Sequence, residues 1–322
     1  MKVFITGGGG YVGRHLTERL IAEGVINVCG LRAPLSASDM FFESRVMGDI
    51  AQLAINSDVF KGISTVVHLA NIASLPAGRN ESDAKKELYA VNVKGTENVL
   101  RCAAHNGVQR FIYISSLKAV GEQCKLSERF TEQSIPTPEG AYGESKLAAE
   151  QLVKSLAPTL GMEYVIIRPP LVYGPGAGGN FYSIVRLVDK RVPLPFKSIN
   201  NVRSMVYIGN LVDLIIRCLD CPEASNKVLM VSDDQDLSLP SILQHIACGL
   251  KKNDLSFPFP QGLLYWMANL VGKRQLAQKL FGTLVVDIST TKSLLGWQPP
   301  YTVEQGMKVT LEYNRSQRSK FE

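Results

Sequence analysis

The sequence predicts an α/β fold: a doubly wound parallel sheet carrying a smaller C-terminal part. Three observations support this. Short apolar β-type runs alternate with helical patterns through the first two-thirds of the chain. The first of those runs leads straight into a glycine turn and an amphipathic helix. After residue 169 the texture changes, and Pro169-Pro170, Gly174-Pro175-Gly176 and Gly178-Gly179 break the backbone repeatedly.

The first strand is expected at residues 2–6, with Gly7, Gly10 and Gly13 following as G-x-x-G-x-x-G. That is one residue longer than the common dinucleotide fingerprint. Glycine lets the backbone approach a pyrophosphate, and the helix that opens with Tyr11 and Val12 offers free N–H donors at its N-terminus. Leu16, Leu20 and Ile21 share one face of that helix. Further strands are expected at 26–31, 65–69, 110–115 and 164–168, with helices at about 11–23, 84–106 and 141–157. In such sheets ligands bind beyond the carboxyl ends of the strands, so the chemistry should follow Ile5, Leu31, Leu69, Ser115 and Arg168. Later helical patterns fall at about 209–220, 239–250 and 303–313. The expected division is a dinucleotide-binding domain over 1–168, with 204–234 returning to it, and a substrate domain over 169–203 and 235–322.

Composition narrows the function. The chain has 322 residues, 45% apolar and 20% charged, with a net charge of +6, as in a soluble globular protein. Its basic residues are scattered, which argues against a nucleic-acid surface. The N-terminus runs into a strand, so no signal peptide is expected. The apolar stretch Gly262–Gly272 is too short to span a bilayer. It reads as a packed lid or substrate-domain helix, with an amphipathic helix on a membrane surface as the alternative. Six dispersed cysteines suit reduced thiols in a cytoplasmic enzyme, and the lone C-x-x-C of Cys218 and Cys221 predicts no metal site.

Tyr142 and Lys146 form Y-x-x-x-K, and helical spacing places both on one face. A nearby ammonium lowers a phenol's pKa, and a phenol so tuned can exchange a proton with a sugar hydroxyl. Together with the glycine turn, Asn92 in Asn-Val-Lys-Gly-Thr, Ser115-Ser116 and Arg168-Pro169…Tyr173-Gly174-Pro175, this resembles an extended short-chain dehydrogenase/reductase. More narrowly, it resembles the NAD-dependent epimerase/dehydratase family acting on nucleotide sugars, over nearly the whole chain.

The resemblance implies a Rossmann fold and a set of roles. Tyr142 is the acid/base, Lys146 its partner, and Ser116, five residues before Gly121, the catalytic hydroxyl. Asn92 matches a residue that props the active-site helix. Around the cofactor it implies Gly7, Gly10, Tyr11, Val12, Gly13, Arg32, Asp49, Ile50, Leu69, Ala70, Asn71, Asn92, Pro169 and the Tyr142/Lys146 pair. Asp49 could equally cap the next helix. Ser115, Asn180, Arg203 and Asp287 match substrate positions, Arg203 as a bidentate fork for a diphosphate and Asp287 near a ribose, where it could instead be a cap.

Departures from the family pattern select the reaction. Where dehydratases place an acidic pair, this chain has Leu117-Lys118, which disfavours elimination. The segment resembles bacterial C4 reductases of UDP-linked 4-keto-6-deoxy-N-acetylhexosamines from surface-polysaccharide pathways. Arg32 replaces the acid of NAD-selective members, which with Ser36 and Ser38 nearby tilts the expectation to NADP(H) over NAD(H). The alternatives are a UDP-glucose or UDP-N-acetylglucosamine 4-epimerase using the same residues, and a non-catalytic dinucleotide sensor. The partner expected is a nucleotide sugar, with a homodimer left open.

Overall fold

In the computed structural model, which describes residues 1–34, 42–73 and 81–318, the expected strands form one parallel sheet. Its members are β1 (Lys2–Thr6), β2 (Ile26–Leu31), β3 (Glu43–Val46), β4 (Thr65–His68), β5 (Arg110–Ile114) and β6 (Glu163–Arg168). β7 (Leu171–Tyr173) and β8 (Met205–Tyr207) pair separately in parallel, and β9 (Lys227–Met230) returns to the main sheet beside β6. The order is β3-β2-β1-β4-β5-β6-β9. The chain reverses its winding between β1 and β4, which leaves a crevice beyond their carboxyl ends.

Alternation along β1 assigns the two faces. Val3 and Ile5 point to one side with Leu16 and Leu20 of α1 (Tyr11–Ala22), while Phe4 points to the other with Phe60, Leu100 and Phe111. All three β1 residues are fully buried, as expected where helices cover both faces. The Val3 side continues into the C-terminal part, whose Tyr173, Tyr207, Leu211, Ile246 and Leu311 belong to the same apolar cluster.

The single helix expected over 84–106 has three pieces. They are α2 (Glu81–Tyr89), a π-helical segment Ala90–Gly95 and α3 (Thr96–His105). The wide turn carries Asn92, and such segments often mark functional positions. α4 (Gly140–Thr159) matches the expected helix behind the Tyr/Lys pair. The C-terminal part adds α5 (Gly179–Asp189), α6 (Ile208–Arg217), α7 (Leu239–Gly249), α8 (Gln261–Leu270), α9 (Arg274–Phe281), α10 (Ser289–Leu295) and α11 (Val303–Arg318). Among the described residues, no helix is long and apolar enough to cross a membrane.

Candidate active site

At the end of β1 the turn is closed by backbone contact. Gly7 sits at φ +67°, and a Cβ there would lie 2.9 Å from the Ala70 amide. A Cβ on Gly13 would strike the Gly7 carbonyl. Only glycine permits the loop after β4 and the start of α1 to approach this closely. α1 begins after Gly10 with no side-chain cap and no acidic residue in its first turn, so its N–H groups face the crevice unneutralised. The half-buried Tyr11 carries a buried hydroxyl with no partner among the described residues, and burial raises its pKa. Val12 is half-buried beside it.

A buried hydrogen-bond chain ties the loop after β4 to α4. The Leu69 and Ala70 amides donate to Thr6 Oγ1 at 3.1 and 3.2 Å. That hydroxyl lies 2.7 Å from His68 Nδ1, and His68 Nε2 lies 3.0 Å from Thr96 Oγ1. Thr96 Oγ1 donates to the Asn92 carbonyl at 2.7 Å, so the ring proton belongs on Nε2 and Thr6 donates to Nδ1. Burial holds the His68 pKa down to about 3, so the ring is neutral. Asn92 accepts from the Ile72 amide and donates to its carbonyl and to Ser145 of α4. Through these bonds Asn92 props loop and helix together. Asn71 Nδ2 donates to the Leu69 carbonyl at 3.4 Å.

At the end of β2, Arg32 is 83% exposed and its Nη2 stands 3.8 Å from Asp49 Oδ2. Asp49 Oδ1 accepts the Ala51 amide, so the carboxylate caps the short turn at Ile50. Ile50 is buried against Gly95, whose Cβ would meet Ile50 Cγ1 at 2.7 Å. Ser36 and Ser38 lie outside the described residues.

Beyond β5, Ser116 Oγ accepts the Lys118 amide at 3.2 Å, and the same hydroxyl favours ionisation of the Tyr142 phenol. Burial outweighs that influence and pushes Tyr142 up to about 12. Lys146, one turn along α4, donates to the Ile114 carbonyl at 2.8 Å and lies 4.5 Å from the centre of the Tyr113 ring. The expected lowering of the phenol by Lys146 is thus outweighed by burial. Burial instead depresses the amine, to about 7. Pro169, whose carbonyl accepts the Leu117 amide at 2.8 Å, closes this corner. Lys118 Nζ stands 6.0 Å from the centre of the Tyr142 ring and pairs with Glu122 at 3.0 Å.

The buried lysine has a measurable consequence. Below about pH 7 its amine is charged in the folded and unfolded chain alike, and folding bears the full desolvation cost. As pH rises from about 7 towards the ordinary 10.5, the folded state loses its proton first and the cost fades. Lys146→Met should therefore raise the melting temperature of the ligand-free protein most at neutral pH and below. The gain should shrink steadily as pH rises above 7. Melting curves across that range check it, and a gain that grows with pH would contradict it.

Expected at the substrate, Ser115 is buried and donates to Glu150 Oε1 at 2.5 Å. Glu150 also holds Arg168 through Nε at 3.0 Å and Nη2 at 2.7 Å, with both side chains almost wholly buried. Sequence reasoning missed Glu150. The signal was there: it continues the Tyr142, Lys146 face by one more i,i+4 step.

The remaining substrate expectations fall in the C-terminal part. Arg203 Nη1 donates to the Lys279 and Gly282 carbonyls at 2.8 Å each, fastening the end of α9. Burial lowers its pKa. Asp287 Oδ1 accepts the Ser289 amide at 2.8 Å just before α10, and hydrogen bonding from the Ser289 side chain and amide lowers its pKa. Asn180 falls in α5, but its side chain lies outside the described residues. Arg203 and Asp287 are linked through one segment: Ser204 bonds to the Leu284 carbonyl, and Asp287 to that of Phe130.

Comparison with known proteins agrees with this geometry. A family model described as the NAD dependent epimerase/dehydratase family matches residues 3–231. A UDP-glucose 4-epimerase of Vibrio cholerae is 40% identical over 314 residues, covering 97% of this chain and 94% of the relative. An N-acetyl-alpha-D-glucosaminyl-diphospho-ditrans,octacis-undecaprenol 4-epimerase of Escherichia coli O157:H7 is 28% identical, covering 97% and 95%. Among solved structures, UDP-glucose 4-epimerase of Thermotoga maritima with UDP-glucose superposes with a TM-score of 0.76 at 21% identity, covering 99% of this chain and 100% of that one. UDP-glucuronic acid 4-epimerase of Bacillus cereus with NAD gives 0.78 at 20% identity, covering 98% and 99%. These two likenesses establish the fold.

Proposed function

Because the chain belongs to the NAD dependent epimerase/dehydratase family, we propose that it is a UDP-sugar 4-epimerase using a nicotinamide dinucleotide. The observation that carries this reading is the placement of Tyr142 beside Ser116 at the carboxyl end of β5, with Lys146 one turn along. The relatives support the epimerase over the expected C4 reductase, which would use the same three residues.

The crevice fits the cofactor: the glycine turn leaves no room for side chains, and the α1 N-terminus is uncapped. Gly7, Gly10, Tyr11, Val12 and Gly13 would hold the pyrophosphate. Arg32, Asp49 and Ile50 would border the adenosine, and Leu69, Ala70, Asn71, Pro169 and Lys146 the rest. When bound, the nicotinamide would supply the redox chemistry, reversible hydride exchange with C4 of the sugar. As the phenolate, reached against the upward push of burial, Tyr142 would take the C4 hydroxyl proton as C4 becomes a ketone, and as the phenol it would give that proton back after the sugar has turned its other face. Ser116 hydrogen-bonds that oxygen throughout. The low-dielectric surroundings strengthen both contacts.

For the nucleotide, Asp49 already shares Arg32, so a 2′-phosphate would have to compete with a carboxylate, whereas NAD would not. If Arg32 does hold a 2′-phosphate, Arg32→Ala should weaken NADP(H) binding much more than NAD(H) binding in parallel titrations. Equal effects would reduce Arg32 to a loop residue. Arg203 has only Nη1 engaged among the described residues, which leaves the rest of the fork for a diphosphate. Arg203→Ala is expected to weaken UDP about tenfold to a hundredfold while dinucleotide affinity holds. Unchanged UDP affinity would move the substrate site elsewhere.

The activity test compares two reactions. One offers UDP-glucose or UDP-N-acetylglucosamine without added nucleotide. The other offers a UDP-4-keto-6-deoxy sugar with NADPH. Product NMR and nucleotide absorbance are followed together. Interconversion of C4 epimers without net nucleotide consumption is the expected result. Stoichiometric NADPH oxidation, with no epimer formed in the first reaction, would restore the reductase.

A further inference from the structure

α8 is apolar on two sides. Leu264, Tyr265 and Ala268 pack on the core, and Tyr265 meets Phe281 edge-on at 5.5 Å. The opposite stripe lies open: Leu263 is 43% exposed, Trp266 59%, Met267 47%, Leu270 65% and Val271 66%. Those positions repeat as i, i+3, i+4, i+7 and i+8, one face of a helix. Phe257, just before α8, is exposed as well. Large apolar side chains gathered in this way on a surface mark a contact.

Charge indicates what covers the stripe. From Leu255 to Val286 the sequence has no Asp or Glu. Cations flank it: exposed Lys273 follows α8, its amide bonded to the Ala268 carbonyl, and exposed Lys197 donates its amide to the Phe257 carbonyl. A second copy meeting this face across a two-fold axis would set those cations against their own counterparts, with no carboxylate in the stretch between them. An anionic lipid surface answers both features. Headgroups attract the lysines, and the boundary with the acyl chains receives Trp266 and the leucines.

We propose that α8 docks the protein on anionic bilayers, lying flat in the headgroup region. The helix packs on α9 through Tyr265 and Phe281, and α9 in turn reaches the loop beyond β5. Lys279 of α9 pairs with Glu122 at 3.5 Å, and a Cβ on Gly282 would lie 3.2 Å from the Gln123 side chain. Docking would therefore place the crevice beside the membrane interface. This inference stands whether or not the proposed activity does.

The test uses the full chain with phosphatidylglycerol/phosphatidylcholine vesicles, and phosphatidylcholine vesicles as the control. The chain has two tryptophans, and Trp297 is buried with its Nε1 on Asp213 at 2.7 Å, so a change in emission reports Trp266. Co-sedimentation with the anionic vesicles, a blue shift and weakening by salt are expected. Leu270→Glu should cut vesicle binding about tenfold or more, with melting temperature and turnover of a free UDP-sugar unchanged. Absence of vesicle binding at low salt with unmoved emission would overturn the proposal, as would undiminished binding by Leu270→Glu. Lipid-free self-association that Leu270→Glu abolishes would also overturn it, assigning the stripe to a second copy.

Discussion

Tyr142→Phe should lower turnover by about a hundredfold or more while leaving the fold and both ligand affinities close to normal. Loss of a positioned acid/base costs on the order of 10² to 10⁴ in rate. The substitution removes one oxygen, and the polar neighbour found for that oxygen is Ser116. The ring itself is retained, so binding of UDP and of the dinucleotide should survive. Steady-state kinetics beside titrations of both ligands would separate the two effects. Near-normal turnover would remove Tyr142 from its role. A parallel loss of dinucleotide affinity would recast it as a binding residue.

The largest effect on stability is expected one turn past Lys146. Glu150 is wholly buried and serves Arg168 and Ser115 together. Removing one member of a buried ion pair strands the other's charge, at a cost of about 3–5 kcal/mol. Arg168 is already under-satisfied, since its buried Nη1 has no partner among the described residues. Glu150→Ala should therefore destabilise by that amount, and Glu150→Gln, which keeps acceptor geometry, by less. Urea unfolding of the two variants decides it. A loss under about 1 kcal/mol for Glu150→Ala would mean that water reaches the stranded guanidinium.

The strands that build the crevice were legible because each is a short apolar run ending in a recognisable signal: Gly7 after β1, Asn71 after β4, Ser116 after β5 and Pro169 after β6. The strands that escaped have three or four residues. β3 reads Glu-Ser-Arg-Val, with none of its residues buried, so it carries no alternation to detect. β7 and β8 are three residues each and exist through mutual pairing across a long connection. Motif matching located Tyr142, Lys146 and Ser116 but could not report what their side chains touch. The sequence pattern puts Ser115 with the substrate, but carries no sign of its bond to Glu150, 35 residues away. Lys146 looked like the partner of Tyr142, whereas in the ligand-free chain its amine donates to the Ile114 carbonyl. His68 was invisible to motif reading because its role lies in buried bonds to Thr6 and Thr96, which are 62 and 28 residues away in sequence.

The central claim is that one bound nucleotide removes hydrogen from C4 and returns it to the same carbon from the other face, with Tyr142 moving the hydroxyl proton. The most direct measurement is the fate of deuterium placed at C4 of UDP-glucose, followed by NMR in ordinary water with no added nucleotide. The account predicts UDP-galactose that keeps the deuterium at C4, because the label is returned to the carbon it left. Product carrying hydrogen at C4, or label found only in released nucleotide, would contradict it.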